Sequence, residues 1–409
     1  MIRILDFKDA GALLERKAHR LDEAERAVAP ILADVRKRGD AALLEYARKF
    51  DGFTGASVRE ELEIRSLTPY FQTAVERAAA NIREFAERQL PRESFVDYPD
   101  GRRLGQMVRP LDSMGAYTPA GRYPLPSTLL MNVIPAQVAG VRTICVACPN
   151  PSPEILGIAA WLGVTRFFRM GGAQAIAALA YGTETVPRVD RIVGPGNLYV
   201  AAAKKLIAGE TGIDFVAGPT EIVIIAAEGN PRWIAADMLA QAEHDVDASA
   251  ILLTTSAALA QAVAAEIERQ LEILPTASVA RPSIESNGAI VVVDALDRAV
   301  AFSNTLAPEH LALHEPQLLA SIQNAGSVFL GPSSPEAAGD YATGPNHVLP
   351  TAGAARLRGG LSAADFVKVI SVQQLTPQAL AGLAPAITTL ARAEGLEAHA
   401  RSVEARTNG

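Results

Sequence analysis

The stretch RTICVACPNPSPEILGIAAWLGVTRFFRMGGAQAIAALAYG, residues 142–182, decides the fold class. Short apolar runs rich in β-branched and aromatic residues alternate in it with Ala-rich segments of helical length. The pattern extends over about residues 114–227, and a second region of the same kind follows residue 230. Such alternation is typical of a parallel sheet covered by helices on both faces. We therefore predict an α/β protein with two such regions.

Composition narrows the class of protein further. With 409 residues, of which 49% are hydrophobic, the chain is too long for one typical domain and too apolar for general disorder. Its net charge of −7 argues against a protein whose main partner is the nucleic-acid backbone. No apolar run approaches the ~20 residues that span a bilayer. The N-terminus has no apolar signal core, and 2 cysteines fit a reducing compartment. We expect a cytoplasmic protein with no membrane or nucleic-acid partner.

Both ends of the chain carry helical patterns. Residues 21–53 place apolar side chains three and four positions apart, and the C-terminal tail is mostly of the same kind. The predicted domains are a first α/β domain that includes the N-terminal helices (1–113 plus 230–358), a second, Rossmann-like domain (114–229) and a helical tail (359–409).

The glycine and cysteine patterns exclude two common kinds of site. Neither α/β region contains G-x-G-x-x-G after a strand, so any dinucleotide must be held in another way. Cys145 and Cys148 form C-x-x-C within a predicted strand, where positions i and i+3 face opposite sides of the sheet. A shared metal ion or a disulfide is therefore disfavoured, and we predict two buried structural thiols.

Two pairs of polar residues have spacings suited to metal binding. Gln241 and His244 are three positions apart in a predicted helix, so both can present ligand atoms on one face. Asp340 and His347 flank Gly344-Pro345 in a predicted loop that can turn both side chains into a cleft. A polar helix end and an ordinary surface loop remain the alternative interpretations.

Glu309 and His310 form a candidate acid–base pair. They follow Pro308, which predicts the first turn of a helix. A helix N-terminus disfavours the imidazolium form and so keeps His310 available as a base. The alternative is a plain helix start, where Glu309 only interacts with the helix dipole.

Glu394 and His399 form the last polar pair, near the C-terminus. Five positions on an ideal helix separate side chains by ~140°. The two would therefore share a face only if Gly395 breaks the helix. A charged terminal helix is the alternative interpretation.

A series of longer motifs is more specific than any of these pairs. In chain order it runs GAYTPAG, GGAQAIAALAYGTETVP, GPGNLYVAAAKK, IDFVAGPTE, QAEH, APEHL, AGSVFLG, SPEAAGDYATGPNHVLPT and EGLEAH. The series strongly resembles the histidinol dehydrogenase family over nearly the whole chain. The resemblance implies two incomplete Rossmann-like domains with helical N-terminal and C-terminal extensions. It also implies an intertwined homodimer in which each tail reaches the active site of the partner subunit.

The resemblance further implies roles for individual residues. The positions that match zinc ligands are Gln241, His244, Asp340 and, from the partner tail, His399. The positions that match the catalytic pair are Glu309 and His310. Besides the zinc ligands and His310, the positions that match substrate contacts are Thr220, His347 and Glu394. The positions that match NAD contacts are Tyr117, Gln174 and Asn197.

The activity implied is the oxidation of L-histidinol through L-histidinaldehyde to L-histidine, with two NAD and one Zn²⁺ per subunit. Zinc would orient the substrate, His310 would move the proton, and Glu309 would activate water for the second oxidation. Two alternatives stay open. One is a paralogue that oxidises another small alcohol such as a sulfonated diol, because Thr220 stands where most members have serine. The other is a zinc hydrolase, although the chain has no H-E-x-x-H.

Overall fold

The structure is a computed structural model that describes residues 1–14, 21–63, 67–119 and 124–407. The end of the GAYTPAG motif, residues 120–121, lies outside the described residues. The strands are β1 (Arg3–Asp6), β2 (Arg59–Glu60), β3 (Ser94–Asp97), β4 (Arg102–Pro110), β5 (Ser113–Tyr117), β6 (Thr143–Ala147), β7 (Arg166–Phe168), β8 (Arg191–Val193), β9 (Gly212–Ile213), β10 (Glu221–Ile225), β11 (Ser249–Thr254), β12 (Ala289–Val292), β13 (His310–Leu313), β14 (Ser327–Leu330) and β15 (Val367–Leu375).

The α-helices alternate with these strands along most of the chain. They are α1 (Leu21–Arg38), α2 (Asp40–Asp51), α3 (Pro69–Gln89), α4 (Pro126–Ala139), α5 (Pro153–Trp161), α6 (Gly172–Tyr181), α7 (Leu198–Ile207), α8 (Pro231–Ala242), α9 (Ala257–Leu271), α10 (Ala277–Asn287), α11 (Leu296–Leu306), α12 (Glu336–Tyr341), α13 (Pro377–Ala393) and α14 (Glu397–Thr407). Short 3-10 helices cover Phe7–Leu13, Pro316–Ser321, Ala354–Arg356 and Ala363–Phe366. No helix in the described ranges has the length and apolarity that crossing a bilayer demands.

Two six-stranded sheets organise the molecule, and the predicted α/β class is confirmed. The first sheet has the order β1-β12-β11-β10-β13-β14, and all its pairings are parallel. The second has the order β2-β7-β6-β5-β8-β9 and is parallel except where β2 meets β7. Apolar clusters lie on both faces of each sheet, which is why the strands are nearly continuous hydrophobic runs.

The predicted boundary between the domains was wrong for one strand. Residues 221–225 were assigned to the second domain, but β10 pairs with β11 and β13 in the middle of the first sheet. Every residue of this strand, EIVII, is buried. The chain therefore crosses between the sheets in the short connection after β9 (214–220). No composition change marks that crossing.

The N-terminal helices also pack differently from the prediction. They were assigned to the first domain, yet α1 packs on α6 and α7, and α3 packs on α4. Val28 and Leu32 of α1 share a cluster with Ile176 and Ala203. The helices thus cover the second sheet, while β1 and the following 3-10 turn join the first one. An amphipathic pattern predicts the buried face of a helix but not the surface that covers it.

The prediction that the tail is helical holds for α13 and α14 but was wrong for residues 367–375. Those residues form β15, which pairs antiparallel with β4 along its whole length, and β4 also pairs with β3. The run VKVISVQQL is rich in β-branched residues, which favour strands. Helical residues on both sides of it obscured that signal.

The amino edge of the first sheet faces the carboxyl edge of the second. Asn346 donates through Nδ2 to the carbonyl oxygen of Met131 in α4 at 2.6 Å. In the same helix, Asn132 donates to the carbonyl oxygen of Tyr117, at the carboxyl end of β5. Thr351 accepts a hydrogen bond from the backbone of Gly218, within the crossing segment. The site residues described next lie on both sides of this junction.

Candidate active site

The predicted catalytic pair lies where two neighbouring strands begin. Glu309 immediately precedes β13, and His310 is its first residue, paired in register with Ile222 of β10. The prediction of a helix start at Pro308 was therefore wrong. Helix α11 ends at Leu306, its C-cap Ala307 has a positive φ of 53°, and the apolar run HLAL forms a central buried strand.

Glu309 is a buried carboxyl group with two donors. Its side-chain oxygen accepts from Thr220 Oγ1 at 2.5 Å and from the backbone N–H of Glu221 at 3.1 Å. Burial raises the pKa of Glu309 to about 8, although both hydrogen bonds oppose the shift. Thr220 thus contacts the group that was predicted to activate water.

His310 is buried and uncharged. Its Nδ1 lies 3.3 Å from the carbonyl oxygen of Glu221, so the tautomer with a proton on Nδ1 can donate there. Burial lowers the pKa of His310 to about 3. The neutral imidazole was expected, but its cause is desolvation rather than a helix N-terminus. Nε2 is buried and has no hydrogen-bond partner among the described residues, so its lone pair can accept a proton.

Glu336 is a member of the site that the sequence analysis missed. It is only 2% exposed, and its Oε1 lies 3.2 Å from His310 Nδ1. Desolvation raises the pKa of Glu336 well above its usual range, and the nearby carboxyl groups of Asp340 and Glu309 add to the shift. A signal was present: Glu336 is four positions before Asp340, the spacing of one helix face.

Gln241 connects Glu336 to Thr220. The amide is buried in the last turn of α8, with Nε2 donating to Thr220 Oγ1 at 2.7 Å. The amide oxygen then faces the carboxyl oxygens of Glu336 at 2.7 and 3.1 Å, which requires a proton on Glu336. The reversed amide would suit an ionised Glu336 but would need a second proton from Thr220, which already donates to Glu309. Because burial raises the pKa of Glu336, we assign the first arrangement.

Three residues of the same region could hold a metal ion. One ligand atom from each of His244, Glu336 and Asp340 lies within 4.8 Å of the others, and His244 Nε2 is 3.9 Å from Asp340 Oδ2. A helix between parallel strands runs antiparallel to them, so the C-terminal end of α8 returns His244 to the amino edge of β10. Asp340 lies in α12 rather than in the predicted loop. With the amide oxygen of Gln241, this set of nitrogen and oxygen donors suits a divalent cation such as Zn²⁺.

His347 spans the junction between the two sheets. Its Nδ1 lies 2.7 Å from the carbonyl oxygen of Asp340, and its Nε2 lies 3.2 Å from Thr128 Oγ1 at the start of α4. Burial lowers the pKa of His347, although the hydrogen bond to Asp340 opposes the shift. The predicted pair of Asp340 and His347 is therefore brought together.

The tail residues Glu394 and His399 are not brought to this cluster within one chain. Both are exposed, α13 and α14 pack on each other, and α13 also packs on β15. Gly395 has a φ of +76° and separates the two helices, so the ideal continuous helix assumed for the spacing of Glu394 and His399 is absent. Within the part of the chain that the structure describes, no hydrogen bond or ion pair joins either residue to Gln241, His244 or Asp340.

The three candidate cofactor residues lie at the carboxyl edge of the second sheet. Tyr117 ends β5, and its hydroxyl accepts from the backbone N–H of Gly172 at 3.2 Å. Gln174 is buried in the first turn of α6, and Asn197 caps α7 through Oδ1. The strand order reverses between β5 and β8, and open α/β sheets bind ligands at such a point. Gly194 allows the two loops to meet there, because a Cβ would lie 2.1 Å from the Tyr117 carbonyl oxygen.

The two cysteines play no part in either group. Both thiols are free and buried, as predicted. Burial raises the pKa of Cys145 to about 11 and the pKa of Cys148 to about 12. Such thiols are poor nucleophiles and poor metal ligands at neutral pH.

Comparison with known proteins completes the description. A family model described as Histidinol dehydrogenase matches residues 14–407. The histidinol dehydrogenase of Geobacter sulfurreducens is 47% identical over 99% of this chain and 100% of the relative. That of Bacillus cereus is 48% identical over 98% and 97%. The crystal structure of histidinol dehydrogenase from Elizabethkingia anophelis has a TM-score of 0.94 at 36% identity, over 100% of this chain and 98% of that chain.

The comparisons define an α/β oxidoreductase, in which the buried Glu309 and His310 lie beside a cluster of side chains that could hold a metal ion. The chain belongs to the histidinol dehydrogenase family. The resemblance inferred from the ordered motifs is therefore confirmed.

Proposed function

We propose that this chain oxidises L-histidinol through L-histidinaldehyde to L-histidine, the last steps of histidine biosynthesis, with Zn²⁺ and two NAD. The observation that carries the proposal is the buried, neutral His310 next to Glu309, with the His244–Glu336–Asp340 cluster within reach. A neutral base, a second carboxyl group and a divalent-cation site are the parts that this two-stage oxidation needs.

The proposed metal ligands are Gln241, His244 and Asp340 of one chain and His399 of the partner tail. When bound, Zn²⁺ supplies a fixed positive charge that orients the substrate amine and imidazole. One ligand atom from each of His244, Glu336 and Asp340 lies within 4.8 Å of the others, an arrangement that suits a divalent cation. Thr220, Glu394 and His347 are the proposed further substrate contacts.

In the first oxidation, His310 accepts the proton of the substrate hydroxyl on Nε2. The carbinol carbon transfers its hydride to NAD, so the alcohol becomes an aldehyde and NAD becomes NADH. The backbone carbonyl of Glu221 holds the Nδ1 proton and stabilises the imidazolium that forms. His310 then releases the proton to solvent and is again neutral, as its lowered pKa favours.

In the second oxidation, Glu309 in its ionised form removes a proton from water, the oxygen of that water adds to the aldehyde carbon, and the former carbonyl oxygen takes up a proton from solvent. The resulting hydrate is again an alcohol, so His310 accepts a hydroxyl proton while a second NAD receives the hydride. The product is the carboxylic acid. Thr220 stabilises the ionised form of Glu309 by donating to it.

Tyr117, Gln174 and Asn197 are the proposed NAD contacts, at the edge of the second sheet that faces His310. We further propose a homodimer in which Glu394 and His399 complete the site of the partner. Both residues are exposed on a two-helix unit that packs mainly on itself and on β15. The free, buried cysteines agree with a reducing compartment such as the cytoplasm.

The experiment is an assay of purified, zinc-loaded protein with L-histidinol and NAD. We expect two NADH for each L-histidine formed. Absence of NADH formation by metal-loaded protein would contradict the proposal. Growth of a histidine auxotroph that carries this gene separates histidinol from another small alcohol, because a paralogue would form NADH only with that other alcohol and would not support growth.

A further inference from the structure

A carboxyl group that none of these roles uses lies beside the candidate NAD residues. Asp51, the last residue of α2, accepts through Oδ2 from the backbone N–H of Gly171 at 3.0 Å and from Nε2 of Gln174 at 3.1 Å. Gly171 is the N-cap of α6 and has no side chain to cap that helix. Asp51, from a different part of the chain, accepts from the N–H of this N-cap residue.

Asp51 lies close to the point of the second sheet where dinucleotide-binding domains recognise the adenosine ribose. In dinucleotide-binding α/β domains, an acidic residue after the second strand accepts from the 2′-hydroxyl of the adenosine ribose. Counted from β5, the second strand is β6, and the residues that follow it, Cys148, Pro149 and Asn150, are not acidic. The nearest acidic residue along the chain after β6 is Glu154, in the first turn of α5.

In the folded chain, Asp51 lies beside the residues that follow β6, none of which supplies a carboxylate at that point. The side-chain amide of Asn150 donates to the backbone carbonyl oxygen of Asp51 at 3.4 Å. A Cβ added to Gly171 would lie 2.8 Å from the side chain of Pro149 and 2.9 Å from Asp51 Oδ1, so the three residues meet at one point. α2 thus brings an acidic side chain to the carboxyl end of β6.

One oxygen of this carboxyl group is free to bind a ligand. Both hydrogen bonds go to Oδ2, and no residue of the described ranges donates to Oδ1. The side chain is only half-buried, so a ligand can reach it. The Gly171–Gly172 turn links Asp51 to Tyr117, because the N–H of Gly171 donates to Asp51 and the N–H of Gly172 donates to the Tyr117 hydroxyl. Gln174 also donates to Asp51.

We propose that Asp51 selects NAD over NADP by accepting a hydrogen bond from the adenosine 2′-hydroxyl on Oδ1. The inference rests on the proposed function, because it requires a dinucleotide at this edge of the second sheet. A 2′-phosphate in the same place would bring a second anion against the carboxylate. The donors at this turn, Gly171 and Gln174, are already directed at Oδ2.

The first test uses the unaltered protein, so it does not depend on the folding of a variant. The binding of NADH, of NADPH and of NADH lacking the adenosine 2′-hydroxyl is measured by nicotinamide fluorescence without substrate. Loss of a hydrogen bond to a charged acceptor predicts about tenfold to one hundredfold weaker binding of the 2′-deoxy compound. NADPH is expected to bind at least as weakly. Equal binding of NADH and the 2′-deoxy compound, or no binding of NADH, would overturn the proposal.

The second test compares Asp51→Ala with the matched control Glu154→Gln. In Asp51→Ala the difference between NADH and its 2′-deoxy analogue should disappear, whereas Glu154→Gln should keep it. The reverse result would show that Glu154 contacts the ribose and would overturn the proposal. A protein that discriminates as predicted but does not oxidise histidinol would disprove the proposed function alone. A protein that oxidises histidinol without discriminating would disprove only the role of Asp51.

Discussion

The carboxyl group of Glu336 lies 3.2 Å from Nδ1 of His310, on the same side of the imidazole as the backbone carbonyl of Glu221. Two acceptors therefore face Nδ1 and favour the tautomer with its proton there. Nε2 points toward Asp340, whose Oδ1 is 3.9 Å away. Residues that the sequence patterns did not single out thus direct the proton acceptor of the proposed reaction toward the candidate metal-binding cluster.

Replacement of His310 should remove proton transfer from both oxidations. We expect His310→Asn to lower kcat by roughly 10²–10⁴-fold, the usual contribution of a general base. The measurement is single-turnover NADH formation with histidinol and, separately, with histidinaldehyde. His314→Gln, at the other end of the HLALH run, is the matched control and should keep its activity. Similar rates for the two variants would contradict the assigned role.

The hydroxyl of Thr220 should control the ionisation of Glu309. Its hydrogen bond lowers the pKa of Glu309 against the larger effect of burial. In Thr220→Val, which keeps the shape but not the hydroxyl, the pH profile of histidinaldehyde oxidation should shift to higher pH. Thr220→Ser keeps the donor and should leave the profile in place. A Thr220→Val profile that coincides with that of Thr220→Ser would refute this link.

Glu309 should make the metal-free protein less stable as the pH rises. Its folded pKa of about 8 is above the ordinary value of 4.5, so the folded state binds the proton more tightly than the unfolded state. Stability contributed by the neutral form is complete below the unfolded pKa and is lost toward pH 8, by about 1.4 kcal/mol per pH unit. Glu309→Gln removes this dependence, so its melting temperature should increasingly exceed that of the unaltered protein between pH 5 and 8. A constant difference would show that Glu309 is not desolvated.

Removal of zinc should abolish activity, and the protein should need His244 to bind zinc again. We expect dialysis against EDTA to inactivate the protein and added Zn²⁺ to restore it. The zinc content of His244→Asn, measured by elemental analysis after reloading, should fall well below one ion per chain. Glu243→Gln is the control, because Glu243 accepts a hydrogen bond from Thr276 and is not part of the His244–Glu336–Asp340 cluster. Full zinc content in His244→Asn would exclude His244 as a ligand.

The tail should act in the partner subunit. His399→Asn and Glu309→Gln are each expected to be nearly inactive alone. After subunit exchange, about one quarter of the sites would combine an intact tail with an intact Glu309 if pairing is random and each site uses one tail. The measurement is recovered NADH formation, with exchange verified by mass spectrometry of differently tagged chains. No recovery after proven exchange would count against a site shared between subunits.

Several of these features were accessible from local sequence because short-range geometry determines them. Period-two alternation predicts that Cys145 and Cys148 lie on opposite faces of the sheet, and the two free thiols are buried in different apolar clusters, although β6 ends one position before Cys148. A three-residue step at the end of a helix places Gln241 and His244 near one another. A glycine with a positive φ ends α13 before Glu397 begins α14.

Other features were not accessible because they depend on pairing across long separations. The sequence of β10 would suit a buried strand of either sheet. Its pairing with β11 and β13 shows that it belongs to the first one. Asp51 and Glu336 are ordinary carboxyl groups in sequence. Asp51 accepts a hydrogen bond from Gln174, which is 123 positions away in the chain. Glu336 comes close to His310 only when the folded chain brings α12 to the start of β13.

The sequence by itself determined the α/β class, the family and most of the polar residues, because hydrophobic periodicity and ordered motifs are local properties of the chain. The tertiary structure alone decided that His310 is an uncharged base, that Glu309 holds its proton to about pH 8, and that Glu336 joins them. Those properties come from desolvation and from neighbours distant in sequence. Neither is present until β10, β13 and α12 have assembled at the amino edge of the first sheet.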